Sequence, residues 1–446
     1  MSRACLSRRS FLATAAAFAV VPRYVLGGPG RSPPSEVLTR AVVGTGAMGL
    51  AHVLVNGPEG PARQVAVCDV DRRHLARALR KAGRGCAAFK DFRRLLDRTR
   101  PDVVVVATPP HWHGLVALEA IRRGRAVLCE KPLARTIAEG RAVAEAARRY
   151  ARIVAVHTLG RDGPWPRLRA AVAAGLLGRP FTVRLGPRSG FGFKAATWLG
   201  RRHLEPQPVP PDLDYDLWLG PAPVKPYHPH RVHRTFRGYW DYDGGGLTDM
   251  GAHWLDAVHF VLAKDTDGPV VAQAEAPPAH PDAVGPWRRA EVRYADGTRV
   301  VLESGWADEP GGTVPERPPS RPRKAGRSAA TTAPEPFLEG PLGRVFFDPK
   351  RHRLHFEPPG LGEVVAALDP GRPLLAFEEA VRSRTTEPMR LPDAEAAHRS
   401  ATVLHLVNLS IRLGRPVRWD PAAERFPGDP EAERLAAPAM RPPWHL

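Results

Sequence analysis

"VVGTGAMGLAH", Val42 to His52, is the stretch that decides the fold. An apolar run ends here, and Gly44, Gly46 and Gly49 follow in G-x-G-x-x-G spacing as a helical stretch opens. Each glycine has a physical reason. Gly44 permits the tight turn, Gly46 lets a pyrophosphate approach the main chain, and Gly49 allows close helix–strand packing. Ala47 and Met48 complete the turn, where the unpaired N–H groups of a helix N-terminus favour an anion. Twenty residues past Gly49, Asp69 closes the next apolar run, where a carboxylate can accept both ribose hydroxyls. Its charge would repel a 2′-phosphate, which favours NAD. Arg72 and Arg73 follow closely and leave NADP open.

Outward from this turn, the runs "RAVVGT", "RQVAVCD", "DVVVVAT", "AVLCE" and "RIVAVH" alternate with helical stretches as far as about Val156. Near-continuous valine, rather than alternation, indicates strands buried on both faces, as in a parallel sheet wrapped by helices. The expected fold class is therefore α/β, beginning with a Rossmann-type doubly wound parallel sheet. "ATPPHWHG", Ala107 to Gly114, would place Thr108 and Pro109 beside the cofactor at the carboxyl edge. His113 is expected to pack or hydrogen-bond near it, because no metal-ligand set accompanies His111 and His113 in sequence.

Beyond His157 a helical piece leads to "PFTVRLG", a stretch rich in Pro, His and Trp, and then "GGGLTDMGAHWLDAVHF". Three further strand candidates run in succession without helices, which points to an antiparallel sheet. The expected division is a leader and linker over 1–36, a dinucleotide-binding domain over 37–158 and a substrate and oligomerisation domain over 159–446. A Pro- and Arg-rich loop is read at 309–334, with helices and a Pro-rich tail closing the chain.

Two short motifs carry chemistry. In "CEKPLA", Glu130-Lys131-Pro132 ends a strand, and proline keeps Lys131 out of the helical region. The chain has eight lysines and fifty-seven arginines, so a compact ammonium here stands apart. Such a group can steady a developing alkoxide and can exchange protons, which a guanidinium cannot. The bland alternative is a strand-end ion pair with Glu130. In the second motif, Thr248 is a candidate N-cap, and Asp249 and His253 at i, i+4 share a helix face. A carboxylate and an imidazole side by side can grip neighbouring hydroxyls while the imidazole takes a proton. A metal pair is the competing reading, with His228, His230 and His233 nearby, but no metal is expected. Trp240 and Tyr242 offer aromatic faces for a sugar ring.

The Gly44–Gly49 turn, "EKP" at 130–132 and "GGGLTDMGAHWLD" at 244–256, in this order, resemble the oxidoreductases named for glucose–fructose oxidoreductase and inositol dehydrogenase, the Gfo/Idh/MocA family. The resemblance covers nearly everything after residue 36. It implies a C-terminal α/β domain with a large open, mostly antiparallel sheet, and a homo-oligomer, dimer or tetramer. By the family pattern Lys131, Asp249 and His253 are the catalytic set, with Glu130 and Lys131 also beside the cofactor. The tail from His398 resembles an exported branch, and His398 is carried over as a weaker substrate contact. The implied activity is hydride transfer between NAD(P) and a hydroxyl carbon of a sugar, cyclitol or glycoside. Two alternatives stand beside it: a redox-neutral, NAD-dependent glycosidase, and a non-catalytic dinucleotide- or sugar-binding protein. The glycosidases of this kind lack the lysine of "EKP". "VHTLGRDGPWP" departs from the family's usual sequence after the sixth strand, so the substrate is not readable.

Composition narrows the setting. The formal charge is +19, but the basic residues are scattered and no aromatic-plus-basic signature accompanies them, so nucleic acid is not expected as a partner. Cys5, Cys68, Cys86 and Cys129 form no CxxC, and no disulfide framework is expected. "LSRRSFLATAAAFAVV" pairs Arg8 and Arg9 with a short apolar run, which resembles a twin-arginine export signal. It implies a periplasmic protein, or one anchored to the membrane through that segment if uncleaved. Little free NAD(H) exists there, so the expected cofactor is tightly held and recycled in place.

Overall fold

A computed structural model describes residues 37–55, 62–306, 333–385 and 388–446. The segment read as an export signal, and all but the last two residues of the loop read at 309–334, fall outside them.

The first half alternates as expected: β1 (Leu38–Val43), α1 (Ala47–Val55), β2 (Ala62–Cys68), α2 (Arg72–Ala82), β3 (Ala87–Phe89), α3 (Phe92–Thr99), β4 (Val103–Val106), α4 (Pro110–Arg122), β5 (Ala126–Glu130), α5 (Ile137–Arg149) and β6 (Val154–His157). The strands lie in the order β3-β2-β1-β4-β5-β6, and every pair is parallel. Burial explains the valine runs. Val104, Val105 and Val106 have no exposed surface, because helices cover both faces. Taking each from water stabilises the fold by about 1.5–3 kcal/mol. The chain order reverses between β1 and β4, opening a crevice at the carboxyl edge.

The second half is α6 (Trp165–Ala173), β7 (Thr182–Leu185), α7 (Tyr215–Leu219), α8 (Gly245–Leu262), β8 (Val271–Glu275), β9 (Arg289–Arg293), β10 (Arg299–Glu303), β11 (Leu338–Gly340), β12 (Gly343–Asp348), β13 (Arg353–Glu357), α9 (Leu361–Ala367), α10 (Phe377–Ser383), α11 (Ala394–Leu413), β14 (Val417–Arg418) and α12 (Pro430–Ala436). Its eight-stranded sheet runs β13-β12-β11-β7-β10-β9-β8-β14. All neighbours are antiparallel except β7 and β10, so the sheet is mixed at one junction.

α11 joins the two halves. Ala394 and Ala397 at its start pack into the first sheet's core, while Val403, Leu404 and Val407 belong to the second core. Arg141 of α5 reinforces the junction, donating to Glu395 at 2.6 Å and to Glu424 at 2.9 Å. Among the described residues, no helix is long and apolar enough to cross a membrane.

Candidate active site

The β1–α1 turn forms as its glycines require. Gly44 has φ +84°, and a Cβ there would meet the main chain of Ala107 and Thr108 at 2.6 Å. A Cβ on Gly49 would lie 1.8 Å from the Gly44 carbonyl oxygen, so only glycine lets α1 pack this closely. A Cβ on Gly46 would meet nothing within 4 Å, so the main chain there faces open space. Ala47 and Met48 are exposed beside it. Asp69 reaches this turn, accepting from Thr45 N at 2.6 Å and Thr45 Oγ1 at 3.0 Å. Burial alone would raise its pKa. The His74 imidazole 3.7 Å away and hydrogen bonds from the Asp71 and Thr45 amides overcome that and hold it below the ordinary carboxylate value. Thr108 Oγ1 is buried with no partner at the end of β4. An open glycine edge, an anionic carboxylate beside it and an orphaned hydroxyl fit a dinucleotide: phosphates at Gly46, ribose at Asp69 and a polar group at Thr108.

His113 and Glu130 have other duties. His113 spans two turns, with Nδ1 2.6 Å from the Pro132 carbonyl and Nε2 2.8 Å from that of Thr108. It braces the β4 and β5 ends against each other and has no nitrogen left for a cofactor. Glu130 turns away as well, accepting from His52 Nε2 at 2.7 Å and His157 Nδ1 at 2.9 Å. Burial opposes its charge, yet the two imidazoles hold its pKa well below the usual range. These three residues have the makings of a metal triad. However, Arg40, which has only donors, lies 3.2 Å from His52 Nδ1. Nδ1 must accept, so Nε2 carries the proton given to Glu130 and is not a free ligand.

Past Glu130 the chain turns at a cis Lys131–Pro132 peptide, and the lysine crosses to α8. Its Nζ donates to Asp249 Oδ1 and to the Asp249 carbonyl, both at 2.5 Å. The ion pair therefore forms with a residue 118 positions away and not with adjacent Glu130. Trp198 Nε1 donates to the other carboxylate oxygen at 2.8 Å, and Arg237 Nε to Oδ1 at 2.9 Å. Burial disfavours the carboxylate, but the charges of Lys131 and Arg237 prevail, so Asp249 stays ionised far below its ordinary range. One helical turn on, His253 presents a buried Nδ1 with no partner. Burial and then the Lys131 charge lower its pKa to about 4, so the imidazole is neutral at pH 7. A cation, a pinned carboxylate and a neutral base with a free nitrogen thus meet at the edge where the glycine turn opens.

Sequence reasoning missed Trp198, Arg237, His52 and His157. The two residues that pin Asp249 come from irregular segments with no periodicity to announce them. Other expectations need correction. Thr248 does not cap α8: the N-cap is Gly244, and Thr248, inside the first turn, accepts from Asn408 Nδ2 at 3.0 Å. Tyr242 has no exposed surface and packs against Trp218 and His111, so it cannot stack on a sugar. Trp240 is also buried, with Nε1 donating to the His280 carbonyl at 3.0 Å. His398 is buried against Gly140 of α5 and lies 3.1 Å from Glu424, so it belongs to the helix junction. The competing histidine trio disperses. His228 accepts from the His230 amide, His230 meets the Tyr239 hydroxyl, and His233 lies beside Asp71.

Comparisons agree with this geometry. Residues 38–158 match the family model described as "Oxidoreductase family, NAD-binding Rossmann fold", and 164–314 and 326–446 match its "C-terminal alpha/beta domain". Inositol 2-dehydrogenase 1 of Saccharopolyspora erythraea is 38% identical over 146 residues, which is 32% of this chain and 43% of that protein. The chain thus spans less than half the length of the curated relatives it matches most strongly. The WlbA dehydrogenase of Bordetella pertussis, solved with NADH and UDP-GlcNAcA, shares the fold with a TM-score of 0.55 and 18% identity, over 86% of this chain and 99% of that one. The aldose-aldose oxidoreductase of Caulobacter crescentus, solved with glycerol, gives 0.52 and 16% over the same shares. With both halves matched and the glycine turn, lysine and Asp–His helix in place, the chain belongs to the Gfo/Idh/MocA family of NAD-binding oxidoreductases.

Proposed function

We propose that this protein transfers a hydride between a nicotinamide cofactor and a secondary hydroxyl carbon of a sugar, cyclitol or glycoside. The observation that carries the reading is the meeting of Lys131 with Asp249, one helical turn from the unpartnered nitrogen of His253. When bound, NAD supplies the hydride acceptor. The His253 imidazole takes the hydroxyl proton, because it is neutral near pH 7 and a neutral imidazole can accept one. Lys131 stands ready to hold the oxygen as charge develops on it, while Asp249, pinned by Trp198 and Arg237, accepts from a neighbouring hydroxyl. Two adjacent hydroxyls are the minimum such a site reads, which suits a polyol ring. Cofactor contacts fall to Gly44, Gly46, Gly49, Asp69 and Thr108.

The same proposal includes export by the twin-arginine route, with a cofactor that stays bound between turnovers, and oligomerisation through the outward face of the second sheet. The Arg8–Arg9 sequence and the scarcity of free NAD(H) outside the cytoplasm support the first; the alternation of buried and more exposed residues along β8 and β9, which leaves one face of the sheet less covered, supports the second. The test uses protein purified without added nucleotide. Absorbance and fluorescence report bound NADH, and a panel of sugar ketones should bleach it. The wild-type protein should respond, and Lys131→Met and His253→Ala should not. A wild-type protein that bleaches with no ketone, and binds no nicotinamide, ends the oxidoreductase reading.

A further inference from the structure

A small second cleft lies between the first turns of α5 and α8, the C-terminal half of α11 and the end of α12. Its walls are unusual in charge. Arg412 lies over the Trp240 ring at 5.5 Å, and among the described residues no carboxylate pairs with it. Its pKa is lowered, first by burial and then by the charge of Arg135. Arg135 lines the same cleft, with a buried Nε that has no partner. Its nearest carboxylate, Glu139, lies 3.7 Å away and is itself pushed by burial toward its neutral form. Among the described residues neither guanidinium has a carboxylate within hydrogen-bonding distance, and Asp241 opposes the shift of Arg412 only through its charge.

The polar side chains around them are also incomplete. Asn408 is 8% exposed and gives Nδ2 to Thr248, leaving Oδ1 buried and unpartnered at the cleft wall. α8 begins at Gly245 with Gly244 as its N-cap and no side-chain cap, so the amides of its first turn lack a capping side chain. Asp243 is the acidic group in the lining, accepting from the Gly244 amide at 2.7 Å. Burial raises its pKa to about 7, so near neutrality it offers a proton as readily as a charge. His405 completes the wall and is kept neutral by burial.

We propose that this cleft binds a small oxyanion that also carries a hydroxyl donor, held by Arg135 and Arg412, with its hydroxyl given to Asn408 Oδ1. Inorganic hydrogenphosphate and a 2-hydroxycarboxylate share that chemistry. Planar guanidinium groups match the paired oxygens of either, and a protonated oxygen satisfies the orphaned amide acceptor. The site is distinct from the Lys131–Asp249–His253 constellation, none of whose members lines it. The two are nonetheless neighbours. Asp243 feels the charges of Asp249 and Lys131, and Thr248 adjoins Asp249 in the chain. An anion bound here changes the field at the catalytic pair.

Calorimetric titration of the full-length protein at neutral pH tests this, with inorganic phosphate in one arm and glycolate in the other, each against chloride at matched ionic strength. Saturable binding is expected in at least one arm, and the arm that binds identifies the anion. Arg412→Met should weaken it by about tenfold or more, the scale of one charge-assisted contact. Asn408→Asp keeps the side chain's size, replaces the amide donor to Thr248 with a carboxylate oxygen that can only accept from that hydroxyl, adds a negative charge, and should abolish binding. Weakening by either substitution supports the site. No saturable binding in either arm, or binding that both substitutions leave unchanged, overturns it. The readout is binding, so the outcome is independent of whether the protein oxidises sugars.

Discussion

Lys131 grips Asp249 twice, through its carboxylate and through its main-chain carbonyl, each at 2.5 Å. The two hydrogen bonds tie the end of β5 to the first turns of α8, so the cation proposed for catalysis is also a strut between the two halves of the site. Its side chain and that of Asp249 are almost wholly buried, at 10% and 6% exposure. Removing one member of such a pair leaves a buried charge, which typically costs about 3–5 kcal/mol. Here Arg237 and Trp198 still partner the carboxylate, so the stability loss should fall below that range. Lys131→Met should therefore fold, melt at a lower temperature and lose about 10²-fold or more in kcat/KM. Steady-state kinetics and a thermal melt on the same preparation separate the two effects.

His253 predicts a pH profile. Its folded pKa of about 4 lies below the ordinary histidine value, first because of burial and second because of Lys131. A base must be neutral to accept a proton, so kcat/KM should stay level on acidification through about 6.5, where a free histidine titrates. The fall should begin only as pH approaches about 4. In Lys131→Met the repelling charge is gone, and the acid limb should move upward. A limb that stays in place would show that Lys131 does not face His253.

Stability should also depend on acid. Asp249 and Glu130 have depressed folded values, so their contribution is present above the ordinary carboxylate pKa, near 4, and is lost as pH falls through the folded one. His111 and His405, lowered to about 3 by burial, act in the same direction and begin earlier. The unfolded chain takes their protons near pH 6.5 while the folded chain resists. The melting temperature should decline from about pH 6.5 downward and steepen below about pH 4. A melting temperature that rises as pH falls from 6.5 to 4 would contradict the burial of these groups.

The glycine turn yields a paired prediction. A methyl on Gly46 meets nothing in the protein, so Gly46→Val should melt like the wild type yet lose NADH binding. A methyl on Gly49 strikes the Gly44 carbonyl, so Gly49→Val should lower the melting temperature markedly. NADH fluorescence and thermal melts on both variants check this.

Much of the architecture was legible beforehand because its signals are short-range. A strand buried on both faces must be apolar throughout, so Val103–Val106 reads as central sheet without coordinates. The glycine spacing likewise announces its turn, since no other residue has both the φ of Gly44 and the clearance of Gly49. Residues four apart on a helix share a face, which placed Asp249 with His253. Trp198 and Arg237 were illegible because they arrive from irregular segments 51 and 12 positions from Asp249. Trp240 and Tyr242 misled for the converse reason. An aromatic next to a motif can stack on a ligand or fill a core, and only packing distinguishes the two.

The sequence alone determined the layered α/β order and the dinucleotide turn, because both follow from local spacing and steric limits, while Lys131, Asp249 and His253 stood as a candidate set through the family resemblance. Only tertiary structure decided which partner Lys131 takes, and that Glu130 is held by His52 and His157 instead. It also decided that His398, packed on Gly140 and facing Glu424, belongs to the helix junction. Such pairings depend on which distant segments share a buried space, and the free energy of burying a charge is settled by every neighbour at once.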